Sequence, residues 1–324
     1  MHSVEEIKNG VYWMGCNDFL TPLFERIFPI PDGVSYNSFF IDDEKTCVLD
    51  AMDKVCRDEF LEDVEYLLHG RQLDYFIIQH MEPDHASSAL ALVEKYPNVK
   101  IVGQAQTFKF FEQFYSEDYK ANYMTVTEGD QLDLGKHKLQ FIKAPMVHWP
   151  EVIMTYDLTD KILFSADAFG MFGTVGNIFA DQVEYEEEYL DEARRYYVNI
   201  VGKYGAQVMA VLKKASGLQI DYICPIHGLV FRTPETIQYI IEKHLHWAQY
   251  VPEKKGVVIA FASIYGDTAR AACVLANKLS KAGIHNVMMY DVSKVHPSYI
   301  NAKAWEYSHL VLAAPTYNLN LFLP

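Results

Sequence analysis

The hexapeptide His80-Met-Glu-Pro-Asp-His85 follows directly on the apolar run YFIIQ at 75–79. A continuous apolar run of this length reads as a strand buried on both faces. The polar hexapeptide must then leave the sheet at the strand's carboxyl end. Four potential metal ligands, His80, Glu82, Asp84 and His85, emerge from one strand-to-helix turn. A turn lets neighbouring side chains converge on one point. A strand would send them to alternate faces, and a helix would align only residues three or four apart. Three more candidates share this position: His148 after KLQFIKA (138–144), Asp167 ending KILFSAD (161–167), and His227 ending the strand in DYICPIHG (221–228). Functional groups collect in loops at strand ends. These seven residues are expected to build a metal site. The remaining eight of the 12 histidines (His2, His69, His137, His244, His246, His285, His296 and His309) are expected to be solvated or to satisfy hydrogen bonds.

Strand-like runs surround these positions. GVYWMG, VSYNSFFI and TCVLD precede a helix near 57–69. Beyond the hexapeptide come a helix at 87–96, the strand VKIVGQ, a helix near 105–115, and the strands YMTVT, KLQFIKA, EVIMTYD and KILFSAD. Residues 184–216 read as helical, and a helix near 234–249 closes the segment. Sheets faced by helices are the expected layering. The break VPEKKG (251–256) marks the expected domain boundary. After it the pattern becomes βα units: GVVIAFAS, a helix over 268–282, NVMMYDV, a short helix near 297–305, and HLVLAAP. This is the opening of a doubly wound parallel domain.

The chain has 324 residues, half of them hydrophobic, and a formal net charge of −15. That charge opposes binding to nucleic acid or to an anionic membrane. No stretch is apolar for long enough to span a bilayer. The N-terminus has neither the basic start nor the apolar run of a secretory signal, so a cytoplasmic protein is expected. The five cysteines (Cys16, Cys47, Cys56, Cys224 and Cys273) include no CxxC pair. They read as reduced thiols without a disulfide framework or zinc ribbon.

The order H-x-E-x-D-H, then His 63 residues on, Asp 19 later and His 60 after that, resembles the flavodiiron proteins, or A-type flavoproteins. FPIPDGVSYNSFFI, QHMEPDHASS, FSADAFG, EARRYYVNI and CPIHG carry the same likeness over nearly the whole chain. The resemblance implies an α/β fold: a metallo-β-lactamase-like αββα sandwich over 1–250, then part of a flavodoxin-like domain over 251–324. It implies that His80, Glu82 and His148 bind one iron, that Asp84, His85 and His227 bind a second, and that Asp167 bridges them. His85, whose counterpart turns away in some relatives, is the least secure of the set. Zinc hydrolases of this fold carry H-x-H-x-D-H. Glu82 in place of the second histidine is a harder, anionic ligand that favours iron.

Two further segments resemble flavodoxin loops. Ser263, Ile264, Tyr265, Gly266, Asp267 and Thr268 stand between a buried strand and a helix, where backbone N–H groups suit a phosphate. Asp267 departs from the commoner Asn there. Pro315, Thr316, Tyr317 and Asn318 match the loop beside the flavin ring. FMN is therefore the implied second cofactor. A flavodoxin-like sheet needs five strands. Three precede Pro324, with the last left as an apolar edge, so the chain as given is expected to bind FMN weakly or not at all.

The implied activity is reduction of dioxygen to water, or of nitric oxide to nitrous oxide. Electrons would come through FMN from rubredoxin or a similar carrier, in a head-to-tail homodimer. The aromatic stretches 19–28 and 196–197 are candidate walls of the gas pocket. The alternatives are a metal-dependent hydrolase of the same fold, in which a metal-bound hydroxide attacks, and a non-enzymatic metal-binding or gas-sensing protein.

Overall fold

The structure is a computed structural model that describes residues 2–115 and 118–322. Pro324, where the given sequence ends, lies outside the described residues. Seven strands form the first sheet in chain order: β1 (Val4–Lys8), β2 (Val11–Asp18), β3 (Val34–Ile41), β4 (Cys47–Leu49), β5 (Tyr75–Ile77), β6 (Lys100–Gly103) and β7 (Tyr123–Thr125). β1 to β4 pair antiparallel and β4 to β7 parallel. Five strands form the second: β8 (Gln131–Asp133), β9 (Lys138–Lys143), β10 (Ile153–Asp157), β11 (Ile162–Phe164) and β12 (Tyr222–Cys224). Only its last pair, β11 with β12, is parallel.

The period-2 alternation of a strand decides how these sheets are covered. Phe39, Leu49, Ile77 and Val102 of the first sheet share one core with Phe141, Ile153, Ile162 and Phe164 of the second. Their chain neighbours Phe40, Val48, Phe76, Ile101, Met154 and Leu163 point the other way, into a core shared with helices. That outer layer receives Phe60, Val64 and Leu67 of α1 (Arg57–Leu68), Leu92 of α2 (Ala89–Lys95) and Phe108 of α3 (Ala105–Phe114). On the second sheet it receives Val208 and Val211 of α5 (Gly205–Ala215) and Ile240 and Trp247 of α6 (Pro234–Ala248). The order of layers is helix, sheet, sheet, helix, as expected.

Residues 184–216 are broken rather than continuously helical. A turn at Tyr185–Glu188 leads to α4 (Leu190–Tyr196), a π-helical turn at Tyr197–Val201, a short turn at Gly202–Tyr204, and α5. Strand β1 (VEEIK) and the short β8 (QLD) carry no strong apolar run to mark them in the sequence.

A third sheet holds β13 (Lys254–Phe261) between β14 (Val287–Asp291) and β15 (Tyr307–Ala313), all parallel. Helix α7 (Asp267–Lys281) packs through Ala272 onto Val257 and Ile259. Helix α8 (Pro297–Glu306) contacts both β15 and α4. The centre-first order, with the first strand between the second and third, is that of a flavodoxin-like sheet. On β15, the side chains of Leu310 and Leu312 are exposed.

The thiol expectation is overturned at one pair. Cys16 on β2 and Cys56 beside α1 form a disulfide, with Cα atoms 6.1 Å apart. Packing of α1 against β2 closes a separation of 40 residues that spacing alone does not reveal. Cys47 and Cys224 are free and buried, and Cys273 is free and exposed.

Candidate metal centre

All seven candidates come together at the carboxyl ends of the strands. His80 lies three residues beyond β5, and Pro83–Ala86 forms the short helical turn that carries Asp84 and His85. His148, Asp167 and His227 lie in the loops after β9, β11 and β12. Asp167 and His227 each stand three residues past the strand end rather than on it. Ala166, with φ at 51°, takes the left-handed backbone that a non-glycine residue rarely adopts, and it turns Asp167 inward.

The side chains form two buried groups. His80, Glu82, His148 and Asp167 offer ligand atoms within 4.8 Å of one another, as do Asp84, His85 and His227. Asp167 stands between the groups. Its Oδ2 is 3.1 Å from His80 Nε2 and 3.4 Å from His148 Nε2. Its Oδ1 is 3.4 Å from His85 Nε2 and 3.8 Å from His227 Nε2. His85 points into the site, with Nε2 2.9 Å from His227 Nε2.

These contacts differ from ordinary hydrogen bonding. Asp84 Oδ2 lies 3.1 Å from His85 Nε2 and 3.2 Å from His227 Nε2, yet neither Asp84 oxygen has a hydrogen-bond partner. Asp167 Oδ2 is likewise unpartnered. Buried carboxylate oxygens left this way are costly. Atoms that converge on a shared centre behave so: with metal–ligand bonds of about 2.1 Å, neighbouring ligands sit about 3.0–3.4 Å apart. Mixed imidazole and carboxylate donors fit iron, and the residues present fit two metal ions.

A ring of supporting residues fixes the imidazoles. His80 Nδ1–H donates to Glu151 Oε1 at 2.8 Å, leaving Nε2 for a metal, and the same oxygen accepts the Met81 N–H at 2.9 Å. His227 Nδ1–H donates to the Ser35 carbonyl at 2.7 Å. Such partners set the tautomer and raise ligand basicity. Asp50 accepts from the backbone N–H groups of Gln79 and His80 and from the Gln79 side chain, tying down the start of the hexapeptide. The Tyr196 hydroxyl donates to Asp167 Oδ1 at 2.7 Å. The sequence gives no sign of Ser35, Asp50 or Glu151. Tyr196 falls within one of the aromatic stretches singled out as pocket wall. From the other stretch, the ring of Phe24 lies 5.5 Å from that of His227.

The electrostatics follow from this crowding. Burial lowers the pKa of His85, but Asp84 and Asp167 outweigh it and push it up to about 10. Burial opposes His148 in the same way, while Asp167 and Glu82 bring it to about 9. The carboxyls of Glu82 and Asp167 are held below the usual range by the histidines, against burial. Glu25 stands beside Glu82; partial desolvation and that carboxylate raise its pKa above the usual range, although its side chain remains exposed to solvent.

The flavodoxin-like loops, 263–268 after β13 and 315–318 after β15, lie at the carboxyl ends of neighbouring strands. Gly266, with φ at 97°, supplies the left-handed turn before α7, and its N–H donates to Ser263 Oγ at 3.1 Å. Tyr265 and Tyr317 are largely exposed. A phosphate site at such a helix start is what a doubly wound sheet offers.

The profile described as ODP family beta lactamase matches residues 34–228. The rubredoxin-oxygen oxidoreductase of Megalodesulfovibrio gigas is 30% identical over 98% of this chain and 79% of its own. The chain belongs to the flavodiiron family. The crystal structure of the flavodiiron protein from Giardia intestinalis superposes with a TM-score of 0.92, at 29% identity over 98% of this chain and 77% of that one. The anaerobic nitric oxide reductase flavorubredoxin of Vibrio vulnificus is 32% identical over 98% of this chain. The chain spans only 64% of that relative's length. Flavodiiron proteins couple iron and flavin in oxidoreductases, so the hydrolase alternative loses ground.

Proposed function

We propose that this flavodiiron chain reduces dioxygen to water, nitric oxide to nitrous oxide, or both. The observation that carries this reading is the pair of buried ligand groups joined by Asp167, with Glu82 among the donors. His80, Glu82 and His148 would hold one iron and Asp84, His85 and His227 the other. Asp167, which stands between the two groups, would be shared by them. Bound ferrous ions would supply the electrons that reduce the gas, with FMN as their source.

The chain's own residues bind, orient and exclude water. Tyr196 keeps its proton, because burial and Asp167 hold its phenol in the neutral form, and it fixes the plane of Asp167. Phe24 and Tyr36 pack their rings around His227 and keep that side dry. Dioxygen reduction consumes four protons with its four electrons, and coupling two nitric oxide molecules consumes two with two. Glu25, beside Glu82 and exposed to solvent, can pass a proton from solvent toward the site.

In this reading the boundary between the metal-binding sandwich and the flavin-binding segment falls near residue 250. Ser263–Thr268 would cradle the FMN phosphate and Pro315–Asn318 would flank its ring. The donor would be rubredoxin or a similar carrier, and the setting the cytoplasm. A head-to-tail homodimer would bring one subunit's flavin to the other's metals. The exposed apolar side chains of Phe19, Leu20 and Ile27, on the segment that carries Phe24 and Glu25, support a covered surface there. Gas consumption by iron-loaded protein with a chemical reductant tests the activity. Turnover of either gas at two irons per chain supports it. Inertness to both would favour the sensing alternative, and hydrolytic turnover with two zinc ions the hydrolase.

A further inference from the structure

Between helices α5 and α6 and the second sheet lies a half-open cavity of about 740 Å³. Its wall is almost wholly apolar, with Met154, Met209, Leu212, Ile237 and Ile241 prominent in it. Lys213 and Ser216 are exposed at its rim. Deeper in the protein is a second cavity of only about 10 Å³. Val147, Ala168, Val208 and His244 line both. The small cavity is closed on its far side by Asp167, Tyr196 and Tyr197. It thus ends at the carboxylate that stands between the two ligand groups. Its size is about that of one small molecule.

The shared wall offers water almost nothing. Val147, Ala168 and Val208 present only hydrocarbon. His244 is the one polar side chain there, and both its nitrogens are engaged: Nδ1–H donates to the Ile240 carbonyl at 3.0 Å, and Nε2 accepts the Phe169 N–H at 3.2 Å. Burial pushes its pKa down to about 4, so it is neutral. Beyond that wall the buried Tyr197 hydroxyl has no hydrogen-bond partner. A wall of this kind excludes ions and disfavours water. An uncharged diatomic gas dissolves better in hydrocarbon than in water, and it crosses such a wall with no hydrogen bonds to break.

We propose that the cavity under α5 and α6 is the reservoir and entry path for the diatomic gas, with Val208 and Tyr197 forming its inner constriction. This inference rests on the reading of the chain as a reductase of dioxygen or nitric oxide. The gas then arrives on the Asp167 side of the ligand groups.

Crystals of the full chain pressurised with xenon test the cavity without any turnover. Xenon is expected against Val208, Met209 and Ile237. A cavity that stays empty of xenon, or one filled by a co-purified lipid, overturns the proposal. Stopped-flow mixing of the ferrous protein with dioxygen or nitric oxide tests the path. Val208→Phe should lower the second-order rate constant at least tenfold with iron content unchanged, while Val208→Ala, which removes bulk, should react at least as fast as the parent. Parental rates in Val208→Phe overturn the path. A parent protein whose ferrous form ignores both gases overturns the functional reading itself, whatever xenon does.

Discussion

Glu151→Gln isolates what the residue behind His80 contributes. Glu151 is fully buried, and one of its oxygens accepts from His80 Nδ1–H at 2.8 Å and from Met81 N–H at 2.9 Å. Its other oxygen has no partner. Glutamine has the same shape, keeps one acceptor oxygen for both bonds, and puts its amide nitrogen where the unpartnered oxygen stands. The fold and the His80 tautomer should survive. What disappears is the negative charge that strengthens Nε2 as a ligand. Loss of such a partner costs about 10–100-fold in metal affinity, or about 1.4–2.7 kcal/mol. The loss should fall on the group of His80, Glu82 and His148, because His227 is braced by the Ser35 carbonyl instead. The assay is an anaerobic competition of ferrous iron against a chromogenic chelator, with the two irons resolved. One should weaken by that factor and the other stay as in the parent. Unchanged affinity at both, or equal loss at both with an intact fold, would refute the reasoning.

Iron loading should tighten as pH rises from 6 to 8, because protons held on His85 and His148, at about 10 and 9, must leave when a metal binds. The apparent affinity, read by the same competition, should rise about tenfold per pH unit for each proton displaced. His244 should make folding sensitive to acid. Its folded pKa, about 4, is below the unfolded value near 6.5, so the unfolded chain binds more protons between them and stability falls as pH drops. From pH 7 to pH 5 the loss is about 2 kcal/mol, and urea midpoints of His244→Gln should lose that part of the dependence. Arg194 is buried among Glu253, Asp191 and Glu306, joining α4 to the segment that enters the third sheet. Arg194→Ala should cost about 3–5 kcal/mol in urea unfolding, since it strands buried carboxylates.

Much of this was legible in the sequence for a physical reason. The hexapeptide, His148, Asp167 and His227 all follow runs whose apolar character marks them as strands, and strand ends gather in space once a sheet forms. The parallel pairing of the third sheet likewise follows from two βα units and a third strand in a row, whereas the central position of β13 does not. Residues that act through tertiary contact left no such trace. Glu151 follows His148 by three positions in an ordinary-looking loop, yet it braces His80, 71 residues away. Cys16 and Cys56 have no motif, and their pairing depends on how α1 docks. The break in the long helical stretch at the π-helical turn sets Tyr196 and Tyr197 at the small cavity, a consequence of packing that helical periodicity cannot express.

The most direct test of the di-iron account is anaerobic reconstitution with ferrous iron, followed by metal counting and Mössbauer spectroscopy before and after one equivalent of dioxygen or nitric oxide. The account expects two irons per chain, two closely spaced ferrous environments, and loss of the ferrous signal with consumption of the gas. A chain that retains one iron or none, or that prefers two zinc ions and leaves both gases untouched, would contradict it.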